Sequence, residues 1–308
     1  SKNYFVMIAI SNKLQRKCNL EEGDLLQAKI YHVENSDYLV LIIHHLVVDA
    51  VSWRILIEDF SEVYQNLCDG NEIQLRSKST SFQKWGDLLY QYAKSYPAKK
   101  EYNYWNRKVN RPYVSLKKGE NSPVKKNGQQ AVCEYQLANI STEKRKKSNN
   151  AFGTNQAELL MAAFLRALGE RFGEGDYCIG LEGHGREQLG LNEDTTRTVG
   201  WFTAQFPMDF QVRISEKWDE FLIGIKEKMR SVPKNGIGYG ILKYITSQDE
   251  PDLSLELKPE IIFNYLGEFS NTNEKDGIEI VDYDYGRTVS ENQNINHVLE
   301  INLMEVDG

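Results

Sequence analysis

Tyr38-Leu39-Val40-Leu41-Ile42-Ile43 is an unbroken apolar run of strand length, the pattern of a strand buried on both faces. It predicts a strand over 38–44, and a separate strand is expected over 25–33. After Asp49 the period changes. Trp53, Leu56, Ile57, Phe60, Val63, Tyr64 and Leu67 recur at helical spacing, which predicts an amphipathic helix to about residue 68, stopped at Gly70. Two aromatic-rich helices are expected at 81–96 and 98–109, separated by Pro97. Residues 110–130 are polar, with Lys, Gly, Asn and Pro, and read as a linker between lobes. Beyond it the pattern predicts a strand at 131–138 and a helix at 155–172 with Leu160, Met161, Phe164, Leu168 and Phe172 on one face. Strands are expected at 176–182 and 200–212, helices at 216–232 and 237–246, and strands at 260–266 and 297–306. Strands and helices are interspersed on both sides of the linker, so the fold class is α/β (or α+β) in two lobes, 1–115 and 116–308.

Composition narrows the function. A formal net charge of −7 argues against a surface that neutralises many phosphates, so neither nucleic acid nor a membrane is an expected partner. The basic runs at 144–147 and 125–126 read as solvated faces. No apolar stretch approaches the length of a transmembrane helix. Cys18, Cys68, Cys133 and Cys178 are widely spaced with no Cys-x-x-Cys pair, which fits neither a zinc knuckle nor a disulfide framework and suits a reducing cytoplasm, the expected location. The opening Ser1-Lys2-Asn3-Tyr4 is neither an initiator methionine nor a signal peptide, and reads as a cut inside a longer chain.

Five segments carry candidate chemistry. In the first, His44-His45-Leu46-Val47-Val48-Asp49-Ala50-Val51-Ser52-Trp53, a buried strand delivers two imidazoles to its end just before a helix. Active-site groups favour such junctions. Successive strand residues point to opposite faces, so one histidine is expected to face a cleft (His45) and the other (His44) to turn into the protein. His44, His45 and Asp49 are zinc-competent types. The pair is adjacent, however, not a helical turn apart, and His184 could join it only through folding, so the sequence disfavours a metal. The second segment, Gly180-Leu181-Glu182-Gly183-His184-Gly185-Arg186-Glu187, packs a carboxylate, an imidazole and a guanidinium into a glycine turn, suited to proton transfer or anion binding. The third is Arg197-Thr198-Val199-Gly200-Trp201-Phe202-Thr203. The fourth, Pro233 to Gly240, alternates glycines without the strand or Lys-Ser/Thr pair of a phosphate loop. In the fifth, Phe263-Asn264-Tyr265-Leu266-Gly267, Asn264 and Tyr265 end an apolar strand, either as core groups with satisfied polar tips or as donors to a developing oxyanion.

In this order the five segments resemble the epimerization domains of nonribosomal peptide synthetases, relatives of the condensation domains. The match is His-His-x-x-x-Asp with Ser-Trp after it, Glu-Gly-His-Gly-Arg-Glu, Thr-Val-Gly-Trp-Phe-Thr, Gly-x-Gly-Tyr-Gly-Ile-Leu and Asn-Tyr-Leu-Gly. Ala50 departs from the family pattern, where many relatives carry Gly. The resemblance implies two lobes similar to chloramphenicol acetyltransferase, set in a V with a tunnel between them and truncated here at both ends. It implies inversion of the α-carbon of an aminoacyl or peptidyl thioester. His45, Glu182 and Tyr265 would be catalytic. Asp49, Arg186, Asn264, His44 and Trp201 would support them, and Asp59 would be structural. No cofactor or metal is implied. The substrate would arrive on the 4'-phosphopantetheine arm of an upstream peptidyl carrier domain in the same polypeptide, with a condensation domain downstream. A condensation domain forming a peptide bond, and a catalytically silent docking module of the same fold, are the competing readings.

Overall fold

The computed structural model describes residues 2–33, 36–109, 111–116, 125–136, 142–253, 255–269, 278–279, 281 and 286–306. Helix α1 (Lys2–Gln15) packs on a hairpin of β1 (Leu26–Val33) and β2 (Ser36–Ile43), paired antiparallel from Leu26↔Ile43 to Val33↔Ser36. The apolar run at 38–43 is therefore not an interior strand. Among the described residues β2 pairs only with β1, and of its side chains only that of Val40 is buried. Helix α2 (Ala50–Cys68) follows. Its N-terminus is buried at Ser52 and Ile55, whereas Phe60, Tyr64 and Leu67 further along are exposed.

The remaining strands are β3 (Gly175–Gly183), β4 (Ala204–Val212), β5 (Ile261–Phe269) and β6 (Leu299–Val306). They form a second sheet in the order β4-β3-β5-β6, antiparallel between β3 and β4 and parallel elsewhere. Alternation gives this sheet two unlike faces. One carries Tyr177, Ile179, Leu181, Phe206, Met208, Phe210, Ile261 and Phe263 into the main core. There they meet Met161, Leu165 and Leu168 of α6 (Gln156–Phe172) and Phe221, Leu222 and Ile225 of α7 (Trp218–Arg230). These large side chains are nearly all fully buried, each worth on the order of 1.5–3 kcal/mol. The opposite face carries Glu182, Gln205 and Asn264.

Helices α3 (Phe82–Ala93) and α4 (Tyr96–Asn106) precede residue 115 but pack with this second sheet. Trp105 lies in the main core, and Trp85, Leu88, Tyr92 and Ala98 meet Leu189, Phe202, Ile237 and Ile241. The aromatic faces of both helices thus have their apolar partners in the later chain, beyond the expected linker. Pro97 lies in the first turn of α4, where its missing N–H has no helical partner to lose.

Residues 131–136 form no strand, and Val132 and Tyr135 are 78% and 85% exposed for want of a pairing edge. Residues 137–138 of that expected strand, and 110 and 117–124 of the expected linker, lie outside the described residues. The strand expected from residue 200 begins at Ala204. The pattern predicts neither helix α1 nor the polar helix α5 (Thr142–Phe152).

Candidate active site

Strand β2 ends at Ile43 and hands His44 and His45 to a short turn. His44 is half-buried, and its Nδ1 accepts the Leu46 N–H at 3.2 Å, so its ring is bent onto its own backbone. His45 is the more exposed of the two. Its ring meets Trp201 edge-on at 5.2 Å between centroids.

Asp49 caps α2 and is the hub of the region. It is 5% exposed. Its carboxylate accepts the N–H of Ser52 at 2.7 Å, the N–H of Phe202 at 3.1 Å and Arg186 Nη2 at 3.1 and 3.2 Å. Burial pushes its pKa up, but the hydrogen bonds from Ser52 and Phe202 and the Arg186 charge outweigh burial and hold the carboxyl below its usual range. Ser52 Oγ donates to the Gly200 carbonyl (2.9 Å) and accepts its N–H (3.0 Å). Arg186 Nη1 donates to the carbonyls of Thr195 and Thr198, both at 2.7 Å, and the guanidinium stacks on the Phe202 ring at 3.9 Å. The start of α2, the 183–187 turn and the 195–202 segment are thereby one hydrogen-bonded unit. A second ion-pair link runs from Arg197 to Glu58 (3.0 Å) and to Asp59 on α2.

The turn after β3 needs its glycine. Gly185 has φ +66°, and a Cβ there would stand 1.6 Å from the Phe202 carbonyl oxygen. That close approach swings Arg186 toward Asp49. His184 is turned away to its own loop, with Nδ1 accepting the Arg186 N–H at 3.0 Å and Nε2 3.0 Å from Glu187. Among the described residues, no group of three or more His, Cys, Asp or Glu side chains could hold a metal ion.

Glu182 is half-buried at the end of β3. Gln205 Nε2 donates to its Oε1 at 2.7 Å, and Asn264 Nδ2 donates to its Oε2 at 2.9 Å. Tyr265 does not join them. As the next residue along β5 it takes the other face, packed against the main core. Burial pushes its phenol pKa up, and the Glu305 and Glu268 charges push the same way. No motif marks Gln205 in the sequence; it stands directly opposite Glu182 across the antiparallel pair, a signal that requires the register. Residues 201–205 thus touch His45 at one end, through Trp201, and Glu182 at the other, through Gln205. An exposed imidazole and a carboxylate held by two amides are side chains chemically able to take up and release protons.

Comparison with known proteins settles the lineage. Residues 6–308 match the family model described as "Condensation domain". The chain belongs to the condensation domain family. Its curated relatives include nonribosomal peptide synthetases. Surfactin synthase subunit 1 of Bacillus subtilis (strain 168) is 38% identical over 86% of this chain, and tyrocidine synthase 2 of Brevibacillus parabrevis is 34% identical over 98%. The matches span 7% and 8% of those proteins, so this condensation-family chain corresponds to a small part of each. The crystal structure of the epimerization domain from the third module of tyrocidine synthetase B superposes at a TM-score of 0.89 with 32% identity, covering 100% of this chain and 69% of that one. The first condensation domain of the CDA synthetase shares the fold at a TM-score of 0.57 and 17% identity over 83% of this chain. No helix among the described residues is long and apolar enough to cross a membrane.

Proposed function

We propose that this domain inverts the α-carbon of an aminoacyl or peptidyl thioester carried on the phosphopantetheine arm of a carrier domain. The observation that carries the reading is the likeness over the whole chain to a solved epimerization domain, at a TM-score of 0.89, against 0.57 for a condensation domain of the same family. Glu182, held by amides from two neighbouring strands, supports it, because inversion asks for a second proton-transferring group besides the histidine.

Sulfur delocalises poorly into the carbonyl, so a thioester α-proton is more acidic than that of an ester or amide. Inversion needs one group to remove that proton and another to return a proton on the opposite face of the planar enolate. An imidazole, with an ordinary pKa of about 6.5, exchanges a proton in either direction near neutral pH. In this reading His45 and Glu182 face each other across the substrate, Asn264 lies near the enolate, and Asp49 and Arg186 fix the wall that carries His45. The carrier domain of the same polypeptide supplies the substrate. Tyr265 serves as support from behind the sheet.

Incubation with a loaded carrier domain in deuterated buffer tests the proposal. Deuterium is expected at the α-carbon together with a mixture of hands. His45→Ala or Glu182→Gln should slow both by roughly a hundredfold or more, as loss of a general acid–base does. A Glu182→Gln protein that exchanges and inverts at the normal rate overturns the two-group assignment. Formation of an amide between donor and acceptor carriers, without exchange, assigns the condensation reaction instead.

A further inference from the structure

Gln205 has no role in the chemistry described so far, yet it makes one of the two hydrogen bonds that fix Glu182. It is exposed near the start of β4 and lies directly across the ladder from Glu182, on the face turned away from the core. Its Nε2 donates to Oε1 at 2.7 Å while Asn264, from the other neighbouring strand, donates to Oε2 at 2.9 Å. The two amides grip the carboxylate from opposite sides. A glutamate side chain has three rotatable bonds. With both oxygens engaged it is held to one orientation. The same segment carries Trp201, whose ring meets His45.

We propose that Gln205 is a positioning residue of the reaction: it sets the Glu182 carboxylate from the β4 side as Asn264 does from the β5 side. The proposal rests on the epimerization reading. A misplacement of about 1 Å at a reacting group can cost on the order of a hundredfold in rate, so loss of one of two restraints is expected to cost about tenfold. A merely structural cross-strand pair would change stability and leave the chemical step alone.

The test uses Gln205→Met, which keeps length and removes the donor, and Gln205→Glu, which keeps shape and sets an acceptor against an acceptor. Gln211→Met, on the same strand and face, is the control; Gln211 lies opposite Asp176, away from Glu182. Each is assayed for α-proton exchange with solvent deuterium at varied carrier concentration, beside a melting curve. Gln205→Met is expected to lower the limiting exchange rate about tenfold with half-saturation unchanged. Gln205→Glu should lower it at least as far at neutral pH, while Gln211→Met keeps the normal rate. A normal limiting rate in both Gln205 variants, or losses that follow only the folded fraction, overturns the proposal and leaves the epimerization reading standing. Absence of exchange in the unaltered protein overturns both.

Discussion

Among single residues, Asp49 makes the sharpest demand on its neighbours. Its buried carboxylate answers two backbone N–H groups and a guanidinium. Asp49→Asn would turn an amide N–H toward one of those donors and leave Arg186 without its charge partner. Breaking a buried ion pair from one side costs about 3–5 kcal/mol, and urea denaturation should show a loss of that size. The pH dependence has a definite sign. A carboxyl whose pKa is depressed by folding adds stability above its unfolded value, about 3.9, and that stability is lost as pH falls through the lower folded value. Below about pH 4 the stability of Asp49→Asn should therefore fall less steeply than that of the unaltered protein. The sequence points to Asp49 and Arg186 through the motifs that contain them. It does not reveal Gln205, whose meaning lies in a strand pairing. It also groups Asn264 with Tyr265, which a strand necessarily separates onto two faces.

At the level of elements, the 183–187 turn does most to shape the site. Gly185 adopts a left-handed backbone and lies against the Phe202 carbonyl. In Gly185→Ala the turn must move, and Arg186 with it. Destabilisation of about 2 kcal/mol or more is expected by denaturant titration, from backbone strain and the severed Asp49 link together. The strongly patterned elements are legible in the sequence: the helix read at 155–172 is Gln156–Phe172, and the strand read at 176–182 is Gly175–Gly183. Their side chains are sorted by a core, so their period is clean. The helix over Thr142–Phe152 escapes notice because TEKRKKSNNAF has no apolar stripe. Residues 131–136 mislead in the other direction, because a β-like composition forms no strand without a neighbour to pair with.

For the molecule as a whole, a set of polar contacts near the site ties the early chain to the later chain. Asp49 with Arg186, Ser52 with Gly200, and Arg197 with Glu58 and Asp59 all join α2 to the 186–200 region. Arg197→Gln removes one link while sparing the others. Amide hydrogen exchange should then quicken in α2 and leave β3 and β4 unchanged; equal rates in α2 would mean that the Asp49 hub holds the helix unaided. The packing of α3 and α4 is poorly legible for a related reason. Residues 82–106 carry the helix pattern openly, but which sheet they cover depends on partners far along the chain. The Asp49–Arg186 bond spans 137 positions. On a ribosome adding roughly 5–20 residues each second, the cap of α2 waits about seven to twenty-seven seconds for its arginine to be made. Until then the carboxylate stands hydrated at the head of an unanchored helix, and the turn that carries His45 gains its fixed surroundings only once Trp201 and Phe202 have been translated as well.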